Sequence, residues 1–166
     1  MSAKYSAPCL LFFASLLLPN PSTAAESESI PSDFKLCAEY HPGYSDWQPW
    51  KVTVTADGKA LQGTPDPWGN NGTPSEKTLR LTAKQVQELV TAVRASKFFT
   101  LNKRYAYAVT DNPTLILRVT MNGNFQEVQV YAAYHLKNNE EVKRFLKIWN
   151  EVLRKVPPPN AEQKPE

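Results

Sequence analysis

Residues able to serve as nucleophile, base or metal ligand are few in this 166-residue chain. Cys37 and His41 stand in a C-x3-H spacing, Asp46 follows shortly after, and His135 lies far along the chain. A structural zinc site needs four such ligands and a catalytic one three at recognisable spacing, so this set predicts no metal. There is no G-x-S-x-G elbow and no phosphate-cradling glycine motif, so neither a serine hydrolase nor a nucleotide cofactor is expected. A small hydrolase would have to use Cys37 with His41 or His135, and Lys35 is the one near neighbour that would favour the thiolate. The scattered carboxylates define no acid–base pair. Glu140 and Glu141 read as charges complementing a helix N-terminus. No catalytic residue is therefore assigned.

The more suggestive pattern is aromatic. Tyr40, Tyr44, Trp47 and Trp50 cluster beside His41 and Asp46, and Trp68 sits in the Gly- and Asn-rich stretch 63–74. Aromatic faces next to polar groups hold sugars or peptides, and long loops without periodicity are often functional. Tyr40, His41, Tyr44, Trp47, Trp50 and Trp68 thus form the candidate binding surface, for a protein or a saccharide. Asn71-Gly72-Thr73 fits a glycosylation sequon, which counts only in a eukaryotic secretory pathway.

What must position these groups begins with the N-terminus. Lys4, the apolar run Cys9–Leu18, the breakers Pro19 and Pro21, and the small residues Thr23-Ala24-Ala25 have the three-part form of a signal peptide. The run is about half the length of a membrane span. Residues 1–25 are expected to be removed, giving a periplasmic or secreted protein with no membrane span after cleavage. Cleavage takes Cys9 and leaves Cys37 alone, so no internal disulfide forms and packing must hold the domain together. Cys37 is expected to be buried, the alternative being a dimer linked through it. The formal charge of +3 is spread along the chain, which excludes a nucleic-acid partner of the basic-patch kind.

Residues 26–32 read as a linker, 33–156 as a single domain, and the Pro-rich tail 157–166 as disordered. Asp33 to Tyr40 alternates as a strand, with Phe34, Leu36, Ala38 and Tyr40 on one face. Lys51–Ala56 and Lys59–Gln62 flank Asp57-Gly58, the signal of a type I′ hairpin that would place Val54 opposite Leu61. Thr78–Leu81 suggests a short strand. Thr82 and Gln85 form a capping box ahead of the stripe Val86, Leu89, Val90 and Val93. Tyr105 and Tyr107 fall in a loop or edge segment. Asn122-Gly123 joins Thr114–Met121 to Asn124–Ala133, a register that pairs Met121 with Asn124 and Arg118 with Glu127. A last helix starts at Asn138 or Asn139, with Asn138 and Glu141 as a second capping box, and presents Val142, Phe145, Leu146, Trp149, Val152, Leu153 and Val156.

Each hairpin is followed by an amphipathic helix, so the expected architecture is α+β, an antiparallel sheet of about four to six strands with both helices on one face, a hairpin–helix unit used twice. An exported leader, a strand ending in Asp-Gly, a capped helix ending in Phe98-Phe99, the Thr110-Asp111-Asn112-Pro113 turn, a hairpin and a C-terminal helix together resemble small secreted bacterial domains of unknown function. The resemblance covers about residues 34–153. Such domains often carry a Cys-Pro pair before the first hairpin, where this chain has Trp47-Gln48-Pro49-Trp50. It brings no active residues with it. The function expected is that of a non-enzymatic binding or accessory module.

Overall fold

The computed structural model describes residues 29–44, 48–64 and 75–159. Seven strands and two helices follow one another as β1 (Lys35–His41), β2 (Trp50–Thr55), β3 (Lys59–Thr64), β4 (Ser75–Arg80), α1 (Ala83–Ala95), β5 (Arg104–Ala106), β6 (Thr114–Met121), β7 (Asn124–Tyr131) and α2 (Glu140–Lys155). They make one sheet in the order β4-β3-β2-β1-β6-β7-β5. The fold is α+β, but the sheet is larger than expected and mixed, because β5 lies parallel to β7. The expected leader (residues 1–25) and residues 160–166 of the expected tail lie outside the described residues.

The strand alternation sets two faces. Leu36, Ala38, Val52, Val54, Ala60, Leu117, Val119, Val128 and Val130 point to one side and are fully buried. There they join Val86, Leu89, Val90 and Val93 of α1 and Val142, Phe145, Ile148 and Val152 of α2 in a single core. Ile148 belongs to the buried stripe of α2, whereas Leu146 and Leu153 flank it half-buried. Phe98 plugs the core completely, and Phe99 meets it edge-on at 5.7 Å.

Both helices are capped by side chains. Thr82 and Gln85 form the expected capping box on α1. On α2 the cap is Asn139, whose Oδ1 accepts from the amides of Glu141 and Val142. Asn138 is not the cap. Glu141 is drawn away from any capping role by Tyr105, whose hydroxyl donates to it at 2.9 Å and so fastens β5 to the start of α2. At the other end, Lys155 and Arg154 of α2 pair with Glu88 of α1.

The second hairpin has the register its sequence implies, with Met121 opposite Asn124 and Arg118 opposite Glu127. Asn122 and Gly123 both take positive φ, and Asp33 receives both of their amides on its carboxylate. The first hairpin departs from expectation. Val54 pairs with Ala60, and Leu61 faces Thr53. In this turn only Gly58 has positive φ, at +82°, while a type I′ turn needs two such residues. Instead Thr55, Ala56 and Asp57 turn so that the Gly58 amide reaches the Thr55 carbonyl, and Asp57 Oδ1 takes the Thr55 hydroxyl and the Lys59 amide. The loop is thus three residues, and that extra residue moves Leu61 to the other face of the sheet.

The hairpin–helix units do not superpose either. β2 and β6 both run antiparallel to β1, on opposite sides of it, and each leads outward to its hairpin partner. With both helices on one face, only a mirror would map one unit onto the other. No rotation does so.

Gly58 is also closely approached, since a Cβ there would clash with the Leu81 carbonyl oxygen, while a Cβ at Gly123 meets nothing within 4 Å. Gly123→Ala should therefore cost about 1 kcal/mol, the conformational term alone. Gly58→Ala should cost about 2–4 kcal/mol, since it adds displacement of the β4–α1 junction. Urea unfolding of the two variants checks this, and equal losses would contradict the close approach of Leu81 to Gly58.

Candidate functional site

The face of the sheet away from the helices carries the polar members of each strand, and the strands order them in rows. Thr55, Lys35, Thr120 and Phe125 form one row across β2, β1, β6 and β7, and Thr53, Cys37, Arg118 and Glu127 form the next. In the third, Lys51 and Glu39 are direct partners. Glu39 is the hub. Its carboxylate takes Lys51 Nζ at 2.9 Å and Arg118 Nη1 at 2.6 Å, with His41 Nε2 at 3.6 Å. Arg118 Nε continues to Glu127 at 2.5 Å, and Gln129 donates to the other Glu127 oxygen at 2.7 Å. The chain of contacts ties β2, β1, β6 and β7 together.

Glu39 is 14% exposed, and its burial opposes ionisation. The hydrogen bonds and charges of Arg118 and Lys51 outweigh that, holding its pKa at about 2. Arg118 is pushed further above its ordinary range, chiefly by its hydrogen bond to Glu39. Cys37 lies beside this hub. Its thiol is 6% exposed and donates to Glu39 Oε1 at 3.7 Å. Burial, and then the Glu39 charge, push its pKa up, so it stays a thiol.

Cys37 and Thr53 are short, and the long side chains of Lys35, Lys51 and Arg118 rise around them. The result is a concavity of about 180 Å³ lined by Lys35, Cys37, Lys51, Thr53, Arg118, Thr120 and Phe125. A second hollow of about 330 Å³ shares Lys35, Lys51 and Thr53 and extends over Leu61, Gly63, Thr64 and Glu76. Phe125 is 65% exposed. Leu61 is here because of the register of the first hairpin.

The residues singled out by sequence are scattered by this geometry. Trp50 is a core residue at 6% exposure, not part of an open surface. It continues the inward alternation of Val52 and Val54, pairs with Tyr40, and packs between the Tyr40 ring at 5.7 Å and the Trp149 ring at 5.3 Å. Tyr40 is half-buried in the same stack. Tyr44 is 91% exposed and His41 is exposed beside Glu39. Asp46, Trp47 and Trp68 lie outside the described residues.

Cys37, His41 and His135 do not converge. Cys37 and His41 stand four residues apart on one strand, about 13 Å along it. His135 stacks on Tyr107 at 4.9 Å, in the turn after β7. Among the described residues no group of His, Cys, Asp and Glu could hold a metal ion, and no helix is long and apolar enough to cross a membrane.

The topology does unite the loops. β1 ends, β2 starts, β3 ends, β4 starts and β6 starts at one end of the sheet, where His41 pairs with Thr114 and Thr64 with Ser75. Loops 42–49 and 65–74 both leave from there. Gly43 is pressed against the Asp111–Asn112 backbone, where a Cβ would come within 2.5 Å. Tyr107, Tyr134 and His135 form an exposed ring cluster off the end of β7, and Lys137 lies over Tyr134.

Sheet and helices define an α+β domain with one hollowed face that no described element covers. The chain matches a family model described as a domain of unknown function (DUF6438) over residues 50–153, and it belongs to that family. The matched span runs from the first residue of β2 into α2, so β1 and its Lys35, Cys37 and Glu39 precede it. A search of curated proteins finds no match.

Two outcomes are expected. Glu39→Gln leaves Arg118 and Lys51 without their shared partner and should cost about 1–3 kcal/mol in urea unfolding at neutral pH. Because the folded pKa of Glu39 is depressed, its contribution is complete above the ordinary carboxylate range and fades as pH falls toward about 2. The variant's deficit should therefore shrink across that window, and a deficit independent of pH would remove Glu39 as the hub. Secondly, peptide mapping after brief iodoacetamide treatment should find Cys37 unmodified in the native protein and modified in urea. Rapid native labelling would contradict its burial.

Proposed function

We propose that the protein is an exported, non-enzymatic binding module whose binding surface is the uncovered sheet face together with the loop-bearing end. The observation that supports this is the hollow itself. An uncovered antiparallel face normally presents polar residues to water. This one exposes Phe125, half-exposes Leu61, and opens two adjoining concavities of about 180 and 330 Å³ around cationic side chains. Pockets that recognise ligands combine apolar walls with a few placed polar groups. The exposed Tyr44 lies just past the end of β1, at the end of the sheet from which segments 42–49 and 65–74 depart. Export rests on Lys4, the apolar run Cys9–Leu18 and Thr23-Ala24-Ala25. Against the hydrolase alternative, Cys37 meets neither His41 nor His135, and burial beside the Glu39 charge keeps it a thiol.

The full-length chain carrying a C-terminal tag should be recovered outside the cytoplasm with Glu26 as its first residue, as read by N-terminal sequencing. Lysine acetylation in that compartment should be slower at Lys35 and Lys51 than in the purified protein, with Lys137 and Lys143 as exposed references. Retention of residues 1–25 would defeat the export reading, and equal labelling in both settings would defeat the binding face.

A further inference from the structure

We infer that the hollow over Cys37 is a site for a small organic monocarboxylate, its anionic end held by Lys35 with Arg118 and its apolar body lying against Phe125. This rests on the binding-face reading above and names the ligand class. Three cations line the hollow and no carboxylate does. Two of the three are already committed. Lys51 is paired with Glu39, and Arg118 spans Glu39 and Glu127 through Nη1 and Nε, leaving Nη2 outside those pairs. Lys35 stands in no ion pair with any described residue, although Glu39 lies on its own strand and its own face.

The floor therefore carries one uncompensated positive charge beside an Arg118 corner and the Thr53 and Thr120 hydroxyls. One negative charge neutralises it. A dianion such as phosphate would leave an excess negative charge next to Glu39 and Glu127, which together fix Arg118 in place. Charge-assisted hydrogen bonds to lysine and arginine are the strong ones, and in a partly enclosed site they gain from the lowered dielectric. Phe125 adds the selective element. It sits opposite Thr120 at the edge of the hollow, 65% exposed, where a purely ionic site would have no use for a ring. An aromatic wall beside a cation favours a ligand with a flat or apolar body attached to its charged end.

Phenylacetate is the test probe, titrated calorimetrically into protein produced from the full-length chain, with its neutral amide and inorganic phosphate as comparisons. Phenylacetate should bind, while phenylacetamide and phosphate bind at least about tenfold more weakly. Lys35→Gln should weaken phenylacetate about tenfold or more, and Phe125→Ala several-fold. Both residues are exposed at the sheet surface, so thermal melts of the variants should stay near that of the parent. Equal binding of the amide would show an apolar crevice and overturn the carboxylate assignment, as would phosphate binding as tightly. Protection of Lys35 from acetylation in the native compartment without phenylacetate binding would sink this ligand class and leave the binding face standing. Absence of that protection would remove the binding face as well.

Discussion

The pairing of β1 on both of its edges is the constraint on which the molecule rests. Residues 35–40 bond to β2 on one side and 35–41 to β6 on the other, so this one strand joins two three-stranded halves. Neither half could bury a two-sided core alone. The chain of side chains from Lys51 through Glu39 and Arg118 to Glu127 crosses the same seam on the solvent side, while Leu36 and Ala38 cross it on the helix side. Sheet continuity, core continuity and the ionic ladder therefore share seven residues of backbone.

The helix side and the open side are built by opposite rules. On the helix side most inward positions are apolar, with Gln62 and Gln126 as polar exceptions, and Trp50, Trp149 and Phe145 close the end under α2. On the open side short residues alternate with long charged ones. The hollow over Cys37 follows from that alternation: a thiol and a threonine side by side leave room that Lys35, Lys51 and Arg118 wall in. The thiol is shielded by its neighbours' length, which is why a residue on the uncovered face is nonetheless buried and protonated.

Much of this was legible in the sequence where the signal was local. The capping box at Thr82 and Gln85 was readable, as was the Asn122-Gly123 hairpin with its Arg118–Glu127 pair, because turn, core and charge agreed on one register. The Asp57-Gly58 pair suits two loop lengths, and the Thr55 hydroxyl that favours the longer one is a weak signal. Trp50 stands two residues before Val52 in the same alternation, a period-two signal that its aromatic neighbours masked. What lay beyond reach was non-local. The parallel pairing of β5 involves three residues, and the hub role of Glu39 appears only once β1 is known to be central.

The placement of β1 also shapes the order in which the molecule can form. It precedes the other described strands, and its β2 partner follows within a few residues, yet Lys35 must wait for Thr120 to complete its other edge. Until then the chain through α1 can assemble only a half-sheet whose open border is its future centre. Long sequence separation between partners slows folding, and an unpaired strand edge is where chains stick to one another. The arrival of β6 on β1 is thus the long-range step that turns an edge strand into the centre of the sheet.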